Sequence, residues 1–171
     1  MMTNPERYSI PVLSRQSLIF LAIALVITVP AALTGSAITA PAIPVWYAGL
    51  NKPAFNPPNG LFGIIWPILF SLMIFGFWRI LRHVGAGKAR AHAILAFVVQ
   101  ILFNAGWSIA FFGARNPGAG VIVALGLVLA VAFMVLTFRK VDAFAALIQL
   151  PYLCWVSFAL FLNITIWRLN A

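Results

Sequence analysis

Long apolar stretches alternate with short polar ones along almost the whole chain. Five apolar stretches can be drawn, at about residues 17–38, 61–81, 91–112, 119–138 and 143–167. Each comes close to the roughly 20 residues that an α-helix needs to cross the hydrocarbon core of a bilayer. We therefore predict an all-α membrane protein. Residues 17–171 are expected to form a single bundle of five transmembrane helices after a polar N-terminal tail, residues 1–16.

Three of the four connections between these stretches are short and rich in turn-forming residues. They lie at residues 85–88, 115–118 and 139–142 and contain glycine, proline or adjacent charges. Short connections make consecutive helices antiparallel neighbours in one bundle. Pro30 lies within the first apolar stretch, and we expect it to kink that helix.

The connection between the first and second stretches is much longer. Residues 39–60 contain five prolines, so a regular helix is not expected there. They also contain more aromatic side chains than a solvated linker needs. We predict a lid packed over the mouth of the bundle, made of Tyr47, Pro53, Phe55, Asn56, Pro57 and Pro58. The alternative is an aromatic belt at the membrane interface.

The composition agrees with a membrane protein and disfavours soluble classes. Of the 171 residues, 64% are hydrophobic and 8% are charged, and the mean hydropathy is +1.06. A soluble domain carries roughly 25% charged residues. The net charge of +9 comes from basic residues that lie between the apolar stretches. A nucleic-acid partner is not expected, because a nucleic-acid surface clusters its basic residues on one face.

The basic residues are distributed unequally between the two sides of the predicted bundle. Eight lie beside the tail and in the second and fourth connections, and three lie on the opposite side. Cytoplasmic segments of membrane proteins are enriched in lysine and arginine. We therefore expect the N-terminus in the cytoplasm of a bacterial cell and the C-terminus outside. The predicted lid then lies on the outer side.

Residues that usually carry catalysis are scarce in this chain. Glu6 and Asp142 are the only acidic residues, and we expect Asp142 to be a solvated charge in a turn. His83 and His92 flank a basic connection, where an interfacial position is expected rather than a metal site. The sequence has no paired carboxylates, metal-ligand cluster, phosphate loop or nucleophile motif. We therefore predict no acid–base catalytic residues, no metal and no required cofactor.

Polar and aromatic side chains share one face of the third predicted helix. Gln100, Asn104, Trp107 and Phe111 follow one another at offsets of 0, 4, 7 and 11, which places them in one stripe on a helix. Two carboxamides and two aromatic rings suit a ligand that has polar edges and a flat apolar body. The alternative is that Gln100 and Asn104 join helices by hydrogen bonds.

Similar stripes follow the second and fifth predicted helices. They consist of Trp66, Phe70, Met73 and Phe77 on the second helix, and of Tyr152, Trp155, Ala159 and Asn163 on the fifth. One aromatic stripe is usually packing, but three of them, two with amides, predict a central cavity walled by aromatic side chains. The small-residue pairs Gly106 with Ala110 and Gly126 with Ala130 favour close helix contacts, including contacts between subunits.

Several short motifs occur in order over about residues 17–170. They are Trp46-Tyr47-Ala48-Gly49-Leu50-Asn51-Lys52-Pro53, Asn56-Pro57-Pro58, Trp66, Gln100-xxx-Asn104-xx-Trp107, Phe111-Phe112-Gly113-Ala114-Arg115, Pro151-Tyr152-Leu153-x-Trp155, Leu162-Asn163 and Trp167-Arg168. In this combination they are highly specific. The chain resembles the translocator protein family, also called the tryptophan-rich sensory protein (TspO/MBR) or peripheral benzodiazepine receptor family.

The resemblance implies a five-helix bundle, usually a homodimer, that acts as a receptor, sensor or translocator of tetrapyrroles such as protoporphyrin IX or haem. Animal members also bind sterols and synthetic drugs. A bacterial cell membrane is expected, or the mitochondrial outer membrane if the source is eukaryotic. Together with the stripes, the resemblance predicts a ligand-binding set of Trp46, Trp66, Phe70, Gln100, Asn104, Trp107, Phe111, Tyr152, Trp155, Ala159 and Asn163.

Some bacterial members of the family are described as degrading protoporphyrin IX in light, which gives an alternative function for the same cavity. The tryptophans implicated there match Trp66 and Trp155. Photo-oxidation of a bound pigment needs no acid–base residues, so it fits the scarcity of catalytic side chains.

The chain departs from the family pattern at two places. The family often has tryptophan at one or both of the positions of Ala54 and Phe55. It also has an aromatic residue just after the double proline, where this chain has Asn59-Gly60, so the lid is expected to be looser here. The cholesterol-recognition pattern needs a tyrosine near Arg168, where this chain has Ile164, Thr165 and Ile166. Tight sterol binding is therefore not expected.

Overall fold

A computed structural model describes residues 9–171 of the chain. Its helices are α1 (Arg15–Ala42), α2 (Asn59–Arg82), α3 (Gly87–Ser108), α4 (Pro117–Arg139), α5 (Ala143–Leu147) and α6 (Leu150–Asn170). Five helical segments of this part of the chain are long and apolar enough to cross a membrane, and α5 and α6 together form the fifth. The predicted all-α, five-span architecture is therefore confirmed. Residues 1–8 of the predicted tail, with Glu6 and Arg7, lie outside the described residues.

Local sequence signals define where several helices begin. The Ser14 hydroxyl accepts a hydrogen bond from the backbone N–H of Ser17 at the start of α1. The Asn116 side chain does the same for the N–H of Ala119 at the start of α4, where Pro117 follows the cap. Both are standard N-terminal caps, since they satisfy N–H groups that have no partner within the helix. A short π-helical turn, Ile109–Gly113, extends α3 towards α4.

α1 is longer than the apolar pattern indicated. It continues through Pro30 and Pro41 as far as Ala42, so the irregular connection begins later than residue 39. A proline in a helix removes its own N–H from the ladder, and its ring crowds the carbonyl four residues earlier. The ladder nevertheless resumes beyond Pro41 with the bond from Ile43 N–H to Thr39 C=O, 3.1 Å. Asn59 and the residue after it likewise belong to α2 rather than to the loop.

The fifth span is interrupted, in contrast to the continuous stretch expected at 143–167. Helical structure stops at Leu147 and resumes at Leu150. Pro151 follows the break, and its ring nitrogen cannot donate to a carbonyl one turn earlier. Gln149 turns into the bundle at this point, is fully buried, and donates from Nε2 to the Leu72 carbonyl oxygen of α2 at 2.9 Å.

The bundle has two ends of different character. We call the end that carries residues 43–58 the lid end, and the opposite end, where α2 and α4 stop at Arg82 and Arg139, the basic end. α1 packs against α2 and α3, and α4 packs against α3 and α6. Nearest the basic end, the rings of Phe77 and Phe97 stack with centroids 3.9 Å apart, which joins α2 to α3 inside the main core.

The small residues of α3 and α4 pack these two helices together within one chain. A Cβ atom added to Gly126 would lie 2.9 Å from Cδ1 of Phe103, and one added to Gly106 would lie 3.6 Å from Val123. The close contact expected of these small residues is therefore made inside the chain. Small residues let the backbones of two membrane helices approach closely. The resulting van der Waals contact matters because lipid provides no hydrophobic driving force between the helices.

Asp142 differs from the solvated turn charge expected from the sequence. It is buried, and one of its carboxylate oxygens accepts hydrogen bonds from the backbone N–H groups of Phe144 and Ala145, which caps α5. The other oxygen lies 2.8 Å from the Arg79 guanidinium and 3.1 Å from Nε2 of His83. The polar partners explain how a carboxylate is tolerated in a buried position.

Candidate functional site

A cavity of about 500 Å³ lies in the lid-end half of the bundle. This volume is within the range of roughly 300–1,000 Å³ that is usual for small-molecule pockets. α1 and α2 form its two sides, and the C-terminal part of α3 forms its back. Its wall consists of Ala32, Leu33, Gly35, Ser36, Thr39, Ala40, Ile43, Tyr47, Asn59, Phe62, Gly63, Trp66, Pro67, Phe70, Asn104, Trp107, Ser108 and Phe112.

Small residues on α1 leave the space that the cavity occupies. Ala32, Gly35, Ser36 and Thr39 follow at helical spacing and all line the cavity. Gly35 also allows α1 to approach α3 closely, because a Cβ atom there would lie 3.2 Å from Oγ of Ser108. The sequence reasoning missed this helix. The signal that could have revealed it was a face of small and hydroxyl residues at offsets of 0, 3, 4 and 7.

The cavity is not closed on all sides. Leu33 and Ser36 of α1, and Gly63 and Pro67 of α2, line the cavity and are also exposed. These residues lie on the two helices that flank the cavity, so the opening is between α1 and α2. In a membrane, the outer surface of neighbouring spanning helices faces the lipid. The opening between α1 and α2 therefore faces the lipid.

Aromatic rings form much of the inner wall. The Trp66 ring lies nearly parallel to that of Trp107, with an interplanar angle of 29° and centroids 6.5 Å apart. Phe70 packs beside Trp66, and Phe111 stacks on the other side of Trp107 at 5.7 Å. The Trp107 indole N–H donates to Oδ1 of Asn163 at 3.1 Å, which fixes the orientation of that ring.

A buried hydrogen-bond chain lies at the inner end of the cavity. Asn104 donates from Nδ2 to the Tyr152 hydroxyl, and this hydroxyl donates to Oε1 of Gln100, both at 3.0 Å. Gln100 and Tyr152 are fully buried. Because the chain joins α3 to α6, Gln100 acts as the interhelical link that the sequence left open as an alternative. Asn104 has both roles, since it also lines the cavity.

The predicted ligand-binding residues separate into three groups. Trp66, Phe70, Asn104 and Trp107 line the main cavity, as does Tyr47 of the lid. Phe111, Ala159 and Asn163 instead line a second, much smaller pocket of about 30 Å³, which Trp107 also borders. The remaining four predicted residues line neither pocket; they are Trp46, Gln100, Tyr152 and Trp155.

Two of those four are tryptophans that pack behind the cavity wall. The Trp46 ring meets Phe112 edge-on, with centroids 6.1 Å apart, and Phe112 lines the cavity. The Trp155 ring meets Phe62 edge-on at 5.9 Å, and Phe62 lines the cavity. Nε1 of Trp155 is buried and has no hydrogen-bond partner among residues 9–171. Both tryptophans therefore support the lining residues from behind.

The first loop covers the lid end and is held by specific polar contacts. The Tyr47 side chain is buried, and its hydroxyl donates to Oδ1 of Asn56 at 2.6 Å. Burial raises the pKa of Tyr47 to about 12, against a smaller opposing effect of the Asn56 hydrogen bond. Nζ of Lys52 donates to the carbonyl oxygens of Tyr47, Ala48 and Leu50 at 2.7–3.2 Å. The loop is thus folded on itself around one lysine.

The same loop is attached to the C-terminal end of α6. The Asn170 side chain forms a pair of hydrogen bonds, each 2.9 Å, with the backbone N–H and C=O of Asn51. The Phe55 ring stacks on Phe161 with centroids 5.2 Å apart. Of the other predicted lid residues, Pro53 and Pro57 are partly buried and Pro58 precedes the first turn of α2. The loop therefore bridges the first and last spans.

The charged and metal-binding chemistry of the site is limited. Among the described residues, those that line the cavity include no lysine, arginine, histidine, aspartate or glutamate. Within residues 9–171, no three His, Cys, Asp or Glu side chains come together in a way that could hold a metal ion. Recognition in this cavity depends on aromatic faces, hydroxyl groups and the carboxamides of Asn59 and Asn104.

Comparison with known proteins identifies the family. A model described as the TspO/MBR family matches residues 22–168. A tryptophan-rich protein TspO of Chlorobaculum tepidum is 38% identical over 136 residues, which cover 80% of this chain and 86% of that protein. One from Archaeoglobus fulgidus is 39% identical over 145 residues, 80% of this chain and 88% of its own.

A relative from an animal shows the same likeness. The translocator protein of Homo sapiens is 34% identical over 126 residues, which cover 73% of this chain and 75% of that protein. The matched region contains all five spanning segments in part or whole. The resemblance inferred from the motifs is confirmed, and the chain is a multi-pass integral membrane protein that belongs to the TspO/MBR family.

Proposed function

We propose that the protein is a membrane receptor or translocator that binds a tetrapyrrole such as protoporphyrin IX in the cavity between α1, α2 and α3. The observation that carries the proposal is the uncharged cavity of about 500 Å³ with the nearly parallel indole rings of Trp66 and Trp107 in its wall. Flat aromatic ligands bind well against such rings, because stacked or edge-on contacts add to the energy of apolar burial. Membership of a family of translocator and sensory proteins supports the same function.

A titration with protoporphyrin IX tests this proposal. Trp66 and Trp107 border the ligand, so saturable quenching of tryptophan fluorescence is expected in the wild-type protein. Gly63→Phe should fill part of the cavity, since Gly63 lines it and has open space beside its Cα atom. We expect this variant to bind the porphyrin about tenfold more weakly or worse, which corresponds to a loss of about 1.4 kcal/mol.

Gly60→Phe is the matched control for that variant. Gly60 lies one turn earlier on α2, has the same open surroundings, and does not line the cavity. Its affinity for protoporphyrin IX should match that of the wild type. The cavity assignment is abandoned if the wild type shows no saturable quenching, or if both glycine variants lose the same affinity.

Binding is better supported by the geometry than light-dependent degradation. Of the two tryptophans expected to serve such degradation, Trp66 lines the cavity and Trp155 lies behind Phe62. A pigment in the main cavity would therefore contact one of these indoles and not the other.

The distribution of basic residues supports an orientation for the protein. We propose that the basic end, with Arg79, Arg82, Lys88, Arg139 and Lys140, faces the cytoplasm of a bacterial cell. The N-terminal segment then lies on the same side, because Ile10 exchanges hydrogen bonds with Arg82 at the basic end. The lid faces outwards in this orientation.

A further inference from the structure

Three residues with hydroxyl groups line the main cavity where α1 meets α3. They are Ser36 and Thr39 of α1 and Ser108 of α3. We call them the hydroxyl row. Ser108 faces Gly35, whose Cβ position is 3.2 Å from Oγ of Ser108, so the row crosses the contact between α1 and α3. None of the three hydroxyls has a hydrogen-bond partner within residues 9–171.

Most hydroxyls elsewhere in the spans do have such partners. Those of Ser71, Ser157 and Thr165 each donate to the carbonyl oxygen four residues earlier in their own helix, and that of Thr137 donates three residues back. This is the usual way in which a hydroxyl is satisfied in an apolar environment. Ser17 and Thr28 also lack a partner, but both are fully buried and neither lines the cavity. The hydroxyl row therefore combines free donors with accessible space.

Among residues 9–171, no basic side chain is positioned to neutralise an anion in this space. The part of the cavity wall that these residues form has no lysine, arginine or histidine. Lys52, in the loop above, already donates to three backbone carbonyl groups. An ionised carboxylate in an apolar cavity without a cation carries a large desolvation cost. A neutral hydrogen-bond acceptor, such as the carbonyl of an ester or of a protonated acid, carries a much smaller one.

We propose that the hydroxyl row recognises an uncharged carbonyl group of the ligand, and that the cavity does not use the negative charge of a carboxylate. The inference rests on the proposed function, since it concerns the ligand of the same cavity. The apolar body of the ligand lies against Trp66 and Trp107, and a side group that bears a carbonyl oxygen accepts hydrogen bonds from Ser36 and Thr39 or Ser108. Any carboxylate that stays ionised lies at the opening between α1 and α2, outside the apolar wall.

Three porphyrins that differ only in their side groups test this proposal. Protoporphyrin IX has two carboxyl groups, its dimethyl ester has two uncharged carbonyl groups, and etioporphyrin has alkyl groups alone. In the wild-type protein, the ester should bind at least as tightly as the acid, because the acid offers an uncharged carbonyl group only in its protonated form. Each neutral hydrogen bond contributes about fivefold in affinity, so etioporphyrin should bind about fivefold to twenty-fivefold more weakly than the ester.

The variant Ser36→Ala/Thr39→Val removes two members of the row. It should weaken the ester about tenfold and leave etioporphyrin unchanged, because the ester has uncharged carbonyl groups that accept from the row and etioporphyrin has none. Thr34→Val is the matched control, since Thr34 is exposed on the same helix and does not line the cavity. Thermal unfolding in detergent checks that both variants are folded.

The outcomes separate this inference from the proposed function. If none of the porphyrins binds the wild type saturably, the proposed function fails. If the acid binds more than tenfold tighter than the ester, a cation recognises the ligand and the inference fails alone. It fails equally if the double variant weakens all three porphyrins by the same factor, since that result indicates altered packing, or if it weakens none.

Discussion

Asp142 is the residue at which local sequence and tertiary structure disagree most clearly. Its neighbours in sequence are basic and turn-forming, which favours a solvated charge. In the folded chain, Arg79 and His83 arrive from the end of α2 and bond to one carboxylate oxygen. The other oxygen caps α5. One carboxylate thus joins the end of the second span to the start of the fifth.

We predict that Asp142→Asn lowers the free energy of unfolding by about 2 kcal/mol, since hydrogen bonds to charged groups contribute about 1.5–3 kcal/mol each. Asparagine is a good helix cap, so the loss reports the ion pair with Arg79 and the contact with His83. Asp142→Ala removes the cap as well and should cost about 1 kcal/mol more. Unfolding in detergent, followed by circular dichroism, measures both. Equal stability of wild type and Asp142→Asn contradicts the assignment.

The same residue makes the stability of the folded protein depend on pH in the acidic range. Burial alone raises the pKa of Asp142, but hydrogen bonds from His83 and the Ala145 N–H and the charge of Arg79 together hold its pKa well below the usual range. A lowered pKa in the folded state means that the stabilisation is complete above the unfolded value of about 3.9. It declines as the pH falls below that value towards the folded pKa. Asp142→Asn should lose this decline.

At the level of a single helix, one inward-facing stripe lines the cavity along part of its length and packs in the core along the rest. On α2, Trp66 and Phe70 line the cavity, whereas Met73 and Phe77 further along the same stripe are fully buried in the core. The helical period predicts that all four face inwards. The helical period does not indicate whether an inward-facing side chain lines a cavity or packs against another helix.

The contact between α3 and α4 depends on a glycine, which gives a second prediction. Gly126→Ala would bring a methyl group against the Phe103 ring, and overpacking of this kind typically costs about 1–3 kcal/mol. Thermal unfolding in detergent should show a lower Tm. Gly60→Ala on α2 has no atoms near its new methyl group, so it should be neutral or stabilise the helix by about 0.5–1 kcal/mol. A Tm that is the same for both variants excludes this role for Gly126.

At the scale of the molecule, the two ends differ in chemistry. The basic end gathers Arg79, Arg82 and Asp142 in hydrogen bonds to the termini of helices and to Ile10 of the N-terminal segment. The lid end is aromatic, and the loop there is attached to α6 through Asn170. This asymmetry is the basis for the proposed orientation.

Cysteine labelling tests that orientation. In a Cys154→Ala background, Ala54→Cys places a thiol on the exposed part of the lid, and Gly85→Cys places one on the exposed connection at the basic end. A membrane-impermeant maleimide added to intact bacterial cells should label the first and spare the second until the cells are broken. The reverse pattern would place the N-terminus outside the cytoplasm.

The number and approximate positions of the spans could be predicted because they depend on one local quantity. A stretch of about 20 apolar residues must cross the bilayer as a helix, since no other open structure satisfies its backbone there. The break before Pro151 and the extension of α1 beyond Pro41 could not be predicted in this way. They depend on where Gln149 finds a partner on α2 and on how the ladder resumes after a proline.

The five spans, the family and the inward faces of α2 and α3 follow from the amino-acid sequence, because apolar length, motif order and helical period are local properties. Three further features depend on how the helices pack: the cavity lies against α1, Trp155 packs against Phe62, and the fifth span borders a much smaller pocket. Free volume depends on the distance between helices. That distance is set by pairs such as Gly35 and Ser108, which lie on different helices and far apart in sequence.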